Sequence, residues 1–277
     1  GTDRDNLSSS ERKFLRDGRL GTYREIAKMS GGYWDIHNHI LPGIDDGSSC
    51  MEETCSLLRE EYKQGVRHII FTPHHRPKMF RVSVDDREKV WMETLSELQG
   101  KFPDMQFFLG CEFFVHENMA EELRDARCRM AGTDVVLAEF SSASHFAEMK
   151  LRIEEIVHLG FRPVIAHAER CRCLHQEEQR LEVLREMGTL VQLNAGSILG
   201  REGPQLKRFC IRALEKGLAD MIASDAHSID GRPVELAACM KKMQRKFGKE
   251  KADRWFGGVQ KTLFADLRED RRTLWNS

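Results

Sequence analysis

The stretch DIHNHILPGIDDG, residues 35–47, decides how the rest of the chain is read. Ile36, Ile40 and the Pro42-Gly43 turn give it the character of a short buried strand, yet it carries histidines at i and i+2 and then two adjacent aspartates. On a strand, residues two apart project to the same side. His37 and His39 therefore point together, flanked by Asp35, Ile36 and Asn38. A strand bound for a core has no packing need for that much coordinating chemistry.

Working outward, short apolar runs recur at 34–40, 68–72, 106–115, 134–140, 162–166, 189–193 and 219–223. Helical patterns separate most of them, at 51–64 (Glu52 and Glu53 in the first turn, Gly65 past the end), 85–99, 150–158, 176–186 and 205–216. Two more, 235–247 and 251–270, follow without another clear strand. Strands alternating with helices imply parallel βαβ units, and about seven of them favour a closed or nearly closed α/β barrel over an open sheet. Residues 1–32 read as a separate N-terminal extension, with Ser9-Ser10-Glu11 able to cap a short helix and Met29-Ser30-Gly31-Gly32 as a break. Residues 33–277, without internal linker or low-complexity tract, read as one domain.

In β/α barrels the active site is built at the C-terminal ends of the strands, where the departing loops converge. Here six of the seven strand ends carry ionisable residues. The first has His37 and His39, followed by Asp45-Asp46; the second ends in FTPHH, with His74 and His75. Glu112 lies in LGCEFF, Glu139 in LAEF, His167, Glu169 and Arg170 in IAHAER, and Asp225 and His227 in ASDAH. Taken singly, a strand-end histidine is usually a hydrogen-bonded structural residue, and Asp46 before Gly47-Ser48 reads as turn chemistry. Convergence changes the balance, because carboxylates crowded into one mouth repel unless cations neutralise them. Nitrogen and carboxylate ligands without thiolate favour manganese, iron, zinc or magnesium. Cys111, Cys171 and Cys173 have no partner pair at zinc-site spacing and read as structural or pocket-lining thiols. A multinuclear site with arginines beside it suits phosphate ester hydrolysis through a metal-bridged hydroxide. Arg170 and Arg232 are the candidates to grip the phosphate; the plain alternative for each is a surface salt bridge.

Bulk properties restrict the partners. The chain has 277 residues, 40% hydrophobic and 31% charged, with a formal net charge of -1. That balance gives no electrostatic reason for nucleic-acid binding. No apolar run approaches the ~20 residues of a membrane span, and residues 1–20 lack the apolar core of a secretory signal. Eight scattered cysteines suit free thiols in a reducing compartment, so the expectation is a cytoplasmic protein.

The stretches DIHNHILPGIDDG, GVRHIIFTPHHRPKMF, GCEFF, LAEFS, PVIAHAER and IASDAHSIDGRP, in this order over residues 35–233, resemble the polymerase and histidinol phosphatase (PHP) superfamily. Within it they most resemble the CpsB/YwqE branch, metal-dependent protein-tyrosine phosphatases linked to capsule and exopolysaccharide synthesis. The resemblance implies a distorted seven-stranded (β/α)7 TIM-like barrel with two to three divalent metals, manganese foremost. It implies one metal on His37, His39 and Asp225, and Glu112 bridging to a second on Glu139 and His167. The third would fall to Asp46, His74 and His227, with Arg170 and Arg232 on the phosphate. The implied substrate is phosphotyrosine on the tail of a tyrosine autokinase, with homo-oligomerisation left open. Tyrosinate is a fair leaving group, which leaves His75 or a metal-bound water as an unassigned proton source. The extension before the HxH strand departs from the family pattern.

Four rivals were weighed. A cysteine-dependent phosphatase needs a Cys-x5-Arg loop, and the one match, Cys239 to Arg245, lies inside an amphipathic helical pattern without glycines. An amidohydrolase-like barrel often bridges its metals with a modified lysine on the fourth strand, where this chain has Glu139. A histidinol-phosphate phosphatase keeps the barrel and metals, and a non-catalytic metal-binding scaffold would have lost ligands that are all present here.

Overall fold

The computed structural model describes residues 31–177, 179–265 and 267. The Ser9-Ser10-Glu11 cap and the last residues of the 251–270 helix lie outside that range. Among these residues nine parallel strands are formed: β1 (Tyr33–Asp35), β2 (Val66–Phe71), β3 (His74–His75), β4 (Gln106–Leu109), β5 (Glu112–Phe114), β6 (Val135–Glu139), β7 (Arg162–Ile165), β8 (Leu190–Asn194) and β9 (Met221–Ala223). They make a three-stranded sheet, β1-β2-β4, and a six-stranded sheet, β3-β5-β6-β7-β8-β9. The helices between them are α1 (Met51–Lys63), α2 (Val84–Leu98), α3 (Met119–Arg124), α4 (Phe146–His158), α5 (Arg172–Gln176), α6 (Gln179–Glu186), α7 (Ala195–Leu199) and α8 (Pro204–Glu215). After β9 come α9 (Leu236–Phe247), α10 (Lys249–Asp253), a π-helical turn at Arg254–Gly258 and α11 (Val259–Leu263).

Local chemistry accounts for the helix ends. The Ser83 side chain accepts from Asp86 N at 3.0 Å to start α2. Pro204 opens α8, where its missing N–H costs nothing. Phe209, Cys210, Ala213 and Leu214 then form the buried stripe of α8, at the spacing of one helix face.

The two sheets come from interrupted strands. The apolar run 106–115 forms two strands, not one, because the chain breaks at Gly110-Cys111. A Cβ at Gly110 would meet Met130 Sδ at 3.1 Å and Ile70 Cγ2 at 3.2 Å, so a larger residue would push these neighbours back by a few tenths of an ångström. The run after Val66 likewise breaks at Thr72-Pro73, and proline has no N–H for the ladder. Hydrogen bonds continue across both breaks, Gly110 N to Phe71 O at 2.8 Å and Glu112 N to Pro73 O at 3.1 Å. At the other side β9 leads back to the segment after β1. Asp225 N donates to His37 O and His39 N to Ala226 O, both at 2.8 Å. Three helices were not anticipated, α3, α5 and α7, and the helix expected at 176–186 is α6, which begins at Gln179.

Alternate residues divide between two apolar layers, as the two-residue strand period requires. Trp34, Ile36, Ile70, Phe108, Val135, Leu137, Val164, Met221 and Ala223 pack with each other in one cluster. Their neighbours Ile69, Phe71, Phe107, Val136, Ala138, Ile165 and Ile222 pack in the larger cluster with the helices. Each fully buried aliphatic side chain here contributes about 1.5–3 kcal/mol. The inner layer stops at the C-terminal strand ends, and polar residues begin there. Glu139 carries on the parity of Val135 and Leu137 and so projects into that end.

Candidate metal centre

All nine residues expected as metal ligands meet at the C-terminal strand ends. Glu112, at the start of β5, is at their centre. Its Oε1 lies 2.6 Å from His167 Nε2 and 3.4 Å from His37 Nε2; its Oε2 lies 3.2 Å from His39 Nε2 and 3.0 Å from His74 Nδ1. Asp225 Oδ1 is 3.5 Å from both His37 Nε2 and His39 Nε2. Glu139 Oε2 is 3.4 Å from His74 Nδ1. Asp46 Oδ1 faces His74 Nε2 at 3.5 Å and His227 Nε2 at 3.4 Å.

Donor atoms within 4.8 Å of one another form three groups: His37, His39 and Glu112; His74, Glu112 and Glu139; and His39, Asp46, His74 and His227. His39 and His74 each belong to two groups, so the ligands interlock more than the implied partition allotted them. The His39 ring stacks on His227 with centroids 4.0 Å apart.

Whether these residues fit metal ions is tested by their hydrogen bonding. His37 Nε2, His39 Nε2, His74 Nδ1, both Glu112 oxygens and Glu139 Oε2 are buried, and the polar atoms they face are one another and those of His167 and Asp225, with no other hydrogen-bonding group among the described residues supplied to them. They are nitrogen and carboxylate-oxygen donors facing one another, the set that suits a hard or borderline divalent cation. The residues fit.

Neighbours aim these donors. His37 Nδ1 donates to Gln192 Oε1 at 2.9 Å, which leaves Nε2 as the lone-pair nitrogen toward Glu112. The same Gln192 oxygen accepts from His167 N at 2.7 Å. Gln192 Nε2 donates to Asn194 Oδ1, and Asn194 Nδ2 to Asp225 Oδ2, both at 2.8 Å. His39 Nδ1 is 2.7 Å from Asp45 Oδ2, which also accepts from His74 N at 2.9 Å. Such outer partners fix ring orientation and tautomer at metal sites. His167 (φ 31°) and Asp225 (φ 52°) hold left-handed backbone, an arrangement that concentrates at functional sites.

The electrostatics are those of a cation site. Burial opposes ionisation of Glu112, but the His37 and His167 rings outweigh it and hold the carboxyl well below the usual range. Asp225 is likewise held down against burial by His37, Arg170 and Arg232. Burial alone would lower the His39 pKa, yet the Asp45 charge and hydrogen bond raise it well above normal.

The arginines meet Asp225 from the solvent side. Arg170 Nη1 is 2.9 Å from Asp225 Oδ2, and its Nε and Nη2 donate to Glu202 at 3.1 and 2.9 Å. Arg232 Nη2 lies 3.5 Å from Asp225 Oδ1 and against His227 Nε2. Both line a cavity of about 610 Å³ with Asn194, Arg201, Glu202 and Asp225.

Two candidates from the strand ends are elsewhere. His75 points away from the mouth: its Nε2 contacts Glu122 Oε2 at 2.6 Å, and its ring stacks on Phe113 at 5.0 Å. It cannot reach a substrate in the mouth as a proton source. Glu169 is buried, accepts from Asn194 N at 3.0 Å, and is held up by burial. Beneath the mouth, Asp35 accepts from Ser224 N at 3.0 Å and from Ser224 Oγ at 2.6 Å. Burial, then the charge of Asp35, push the neighbouring buried Glu61 carboxyl well above its usual range.

The cysteines take no part. Seven of the eight are buried, Cys50 being the exposed one. Burial pushes the Cys111 thiol up to about 12 and raises Cys171, Cys210 and Cys239 as well. Cys239 sits inside α9, so its spacing to Arg245 is not a nucleophile loop.

Sequence reasoning passed over Asp45, Gln192, Asn194 and Ser224 as parts of the site. Gln192 and Asn194 show the i, i+2 spacing of His37 and His39 at the one strand end without an ionisable residue, and that spacing was the available signal.

Comparison with known proteins bears on this geometry. A family model described as "Capsular polysaccharide synthesis, CpsB/CapC" matches residues 33–264. Tyrosine-protein phosphatase CpsB of Streptococcus agalactiae is 35% identical over 228 residues, covering 80% of this chain and 94% of that protein. Crystal structures of YwqE from Bacillus subtilis and CpsB from Streptococcus pneumoniae, described as unique metal-dependent tyrosine phosphatases, are also similar. There the match has a TM-score of 0.72 and 29% identity, over 79% of this chain and 89% of the other. A histidinol phosphate phosphatase of Lactococcus lactis shares the fold at a TM-score of 0.51 and 15% identity, over 82% of this chain and 98% of that one.

Proposed function

The chain belongs to the CpsB/CapC family of capsular polysaccharide synthesis, and from that premise we propose that it is a metal-dependent protein-tyrosine phosphatase. The observation that carries the reading is the convergence of buried imidazole nitrogens and carboxylate oxygens in one mouth, with two arginines beside them.

In this proposal two to three divalent ions are held, manganese foremost, with iron, zinc or magnesium as alternatives. His37, His39 and Asp225 would hold one, Glu139 and His167 another with Glu112 shared between the two, and Asp46, His74 and His227 would hold the third. When bound, such ions lower the pKa of a water to near neutrality and neutralise charge on the phosphoryl oxygens. Arg170 and Arg232 grip the phosphoryl group from the cavity side. Hydrolysis puts a water oxygen on phosphorus and breaks the bond to the tyrosyl oxygen, which leaves as a phenolate or takes up a proton. With a phenol pKa of about 10, this departure needs less protonation than that of an alkyl alcohol, consistent with a mouth into which His75 does not point.

The substrate proposed is phosphotyrosine on the tail of a tyrosine autokinase that controls capsule or exopolysaccharide synthesis, acted on in the cytoplasm, with homo-oligomerisation open. No helix among the described residues is long and apolar enough to cross a membrane. Residues 33–277 are proposed as one domain after a separate extension, 1–32. Taking β2 with β3 and β4 with β5 as single interrupted strands gives seven parallel strands in a distorted barrel. The hydrogen bonds from Asp225 to His37 and from His39 to Ala226 support its closure.

The test is phosphate release from a tyrosine-phosphorylated peptide and from histidinol phosphate, each with Mn²⁺, with Zn²⁺ and with a chelator. Metal-dependent release from the peptide is the expected result. Preference for histidinol phosphate would move the protein to a biosynthetic phosphatase, and metal loading without turnover on either would favour a scaffold.

A further inference from the structure

Arg170 is offered to the cavity by a loop built to hold it. Gly200 (φ 101°) and Gly203 (φ 97°) bracket Arg201 and Glu202 in backbone that favours glycine. The loop is tied to the α7 turn before it, with Gly200 N and Arg201 N both donating to Gly196 O at 3.0 Å. Arg201 and Glu202 then diverge. Arg201 pairs with Glu235, and Glu202 turns back to Arg170. Ser197 Oγ donates to Glu202 Oε1 at 3.1 Å, so the carboxylate is itself held in place. It is charged: burial opposes ionisation, and the hydrogen bond and charge of Arg170 overcome it.

A guanidinium has five N–H groups in a rigid plane. Glu202 takes the Nε and one Nη2 hydrogen, and Asp225 faces Nη1 at 2.9 Å. Two N–H groups remain outside these contacts, one on Nη1 and one on Nη2, so the Nη1–Nη2 end of the guanidinium is the part left to donate to a phosphoryl group. We propose that Glu202 is a positioning residue: it orients Arg170 so that this free N–H pair faces the phosphoryl group. This rests on the reading that Arg170 binds phosphate. Glutamine in place of Glu202 keeps the size but puts an amide N–H₂ where one of the two acceptors was, so the side-on grip is lost.

The experiment is a double-mutant cycle of Glu202→Gln and Arg170→Ala, read on phosphotyrosine peptide hydrolysis and on inhibition by inorganic phosphate, with bound metal and thermal melting measured alongside. Glu202→Gln is expected to raise both KM and the phosphate inhibition constant about tenfold with a smaller change in kcat. Metal content should stay the same, and the substitution should have almost no further effect once Arg170 is alanine. Glu202→Asp, which keeps two acceptors, should recover part of the loss. Additive losses in the cycle, or an unchanged phosphate inhibition constant in Glu202→Gln, would overturn the positioning role. An Arg170→Ala variant with unaltered phosphate inhibition would instead overturn the underlying reading of Arg170.

Discussion

His74 and His75 are adjacent in sequence, yet they belong to two opposite kinds of cluster. His74 joins Glu112, Glu139, Asp46, His39 and His227, where ring nitrogens and carboxylate oxygens from several strand ends converge within 4.8 Å of one another. His75 joins Glu122 and His116, where the bonds are complete. One Glu122 oxygen is 2.6 Å from His75 Nε2 and the other is 3.1 Å from His116 Nε2. The remaining nitrogens are also engaged, His75 Nδ1 facing Arg87 at 3.4 Å and His116 Nδ1 accepting from Asn118 N at 3.2 Å. The residue types are the same, so composition does not distinguish a metal site from a structural cluster. The number of donor atoms that converge on one mouth does.

The strongest attempt to break this contrast is Glu112→Gln. Removing the central carboxylate should cost at least about 10³-fold in kcat and lower the metal measured by elemental analysis. A variant that retained both metal and activity would refute the arrangement. On the closed side, His75→Gln should leave metal content unchanged and turnover within a fewfold of the parent. Its cost should appear as about 1–2 kcal/mol in urea unfolding, small because Glu122 is partly solvated. Loss of metal from that variant would mean that the two clusters are coupled.

The smallest effect concerns a buried acid stabilised by neither metal nor imidazole. Glu61 has a folded-state pKa above its unfolded one, so the folded protein binds this proton more tightly. Its contribution is fully present below the unfolded value and is lost as pH rises through the raised one. Glu61→Gln carries no such proton and should be about 1 kcal/mol more stable than the parent at pH 8, with the advantage shrinking toward pH 5. Parallel unfolding profiles for the two proteins would contradict this.

Much of the site was legible in the sequence, because metal chemistry needs particular residue types and the barrel puts them at strand ends. HxH, FTPHH and ASDAH announce themselves at that position. What was not legible was direction. Nothing in FTPHH tells which histidine faces the mouth, since that depends on where β3 begins after Pro73. Gln192 and Asn194 carry no charge and drew no notice, and placing the end of the sixth strand at residue 193 rather than at Asn194 cut the pair in two. The run 106–115 reads as continuous because its apolar residues continue through the break; the contact of Gly110 with Met130 that interrupts it is a long-range fact. The family resemblance was carried by ordered motifs and so survived these boundary errors.

The buried thiols have a consequence for cellular redox chemistry. Tyrosine phosphatases built on a cysteine nucleophile depend on a reactive thiolate, the species that peroxide converts to sulfenic acid and that alkylating agents cap. Here Cys111, beside the central carboxylate, is protonated and enclosed, and Cys239 lies within a packed helix. Dephosphorylation by this chain therefore does not run through a reactive thiolate, and the buried, protonated cysteines offer peroxide and alkylating agents none to capture.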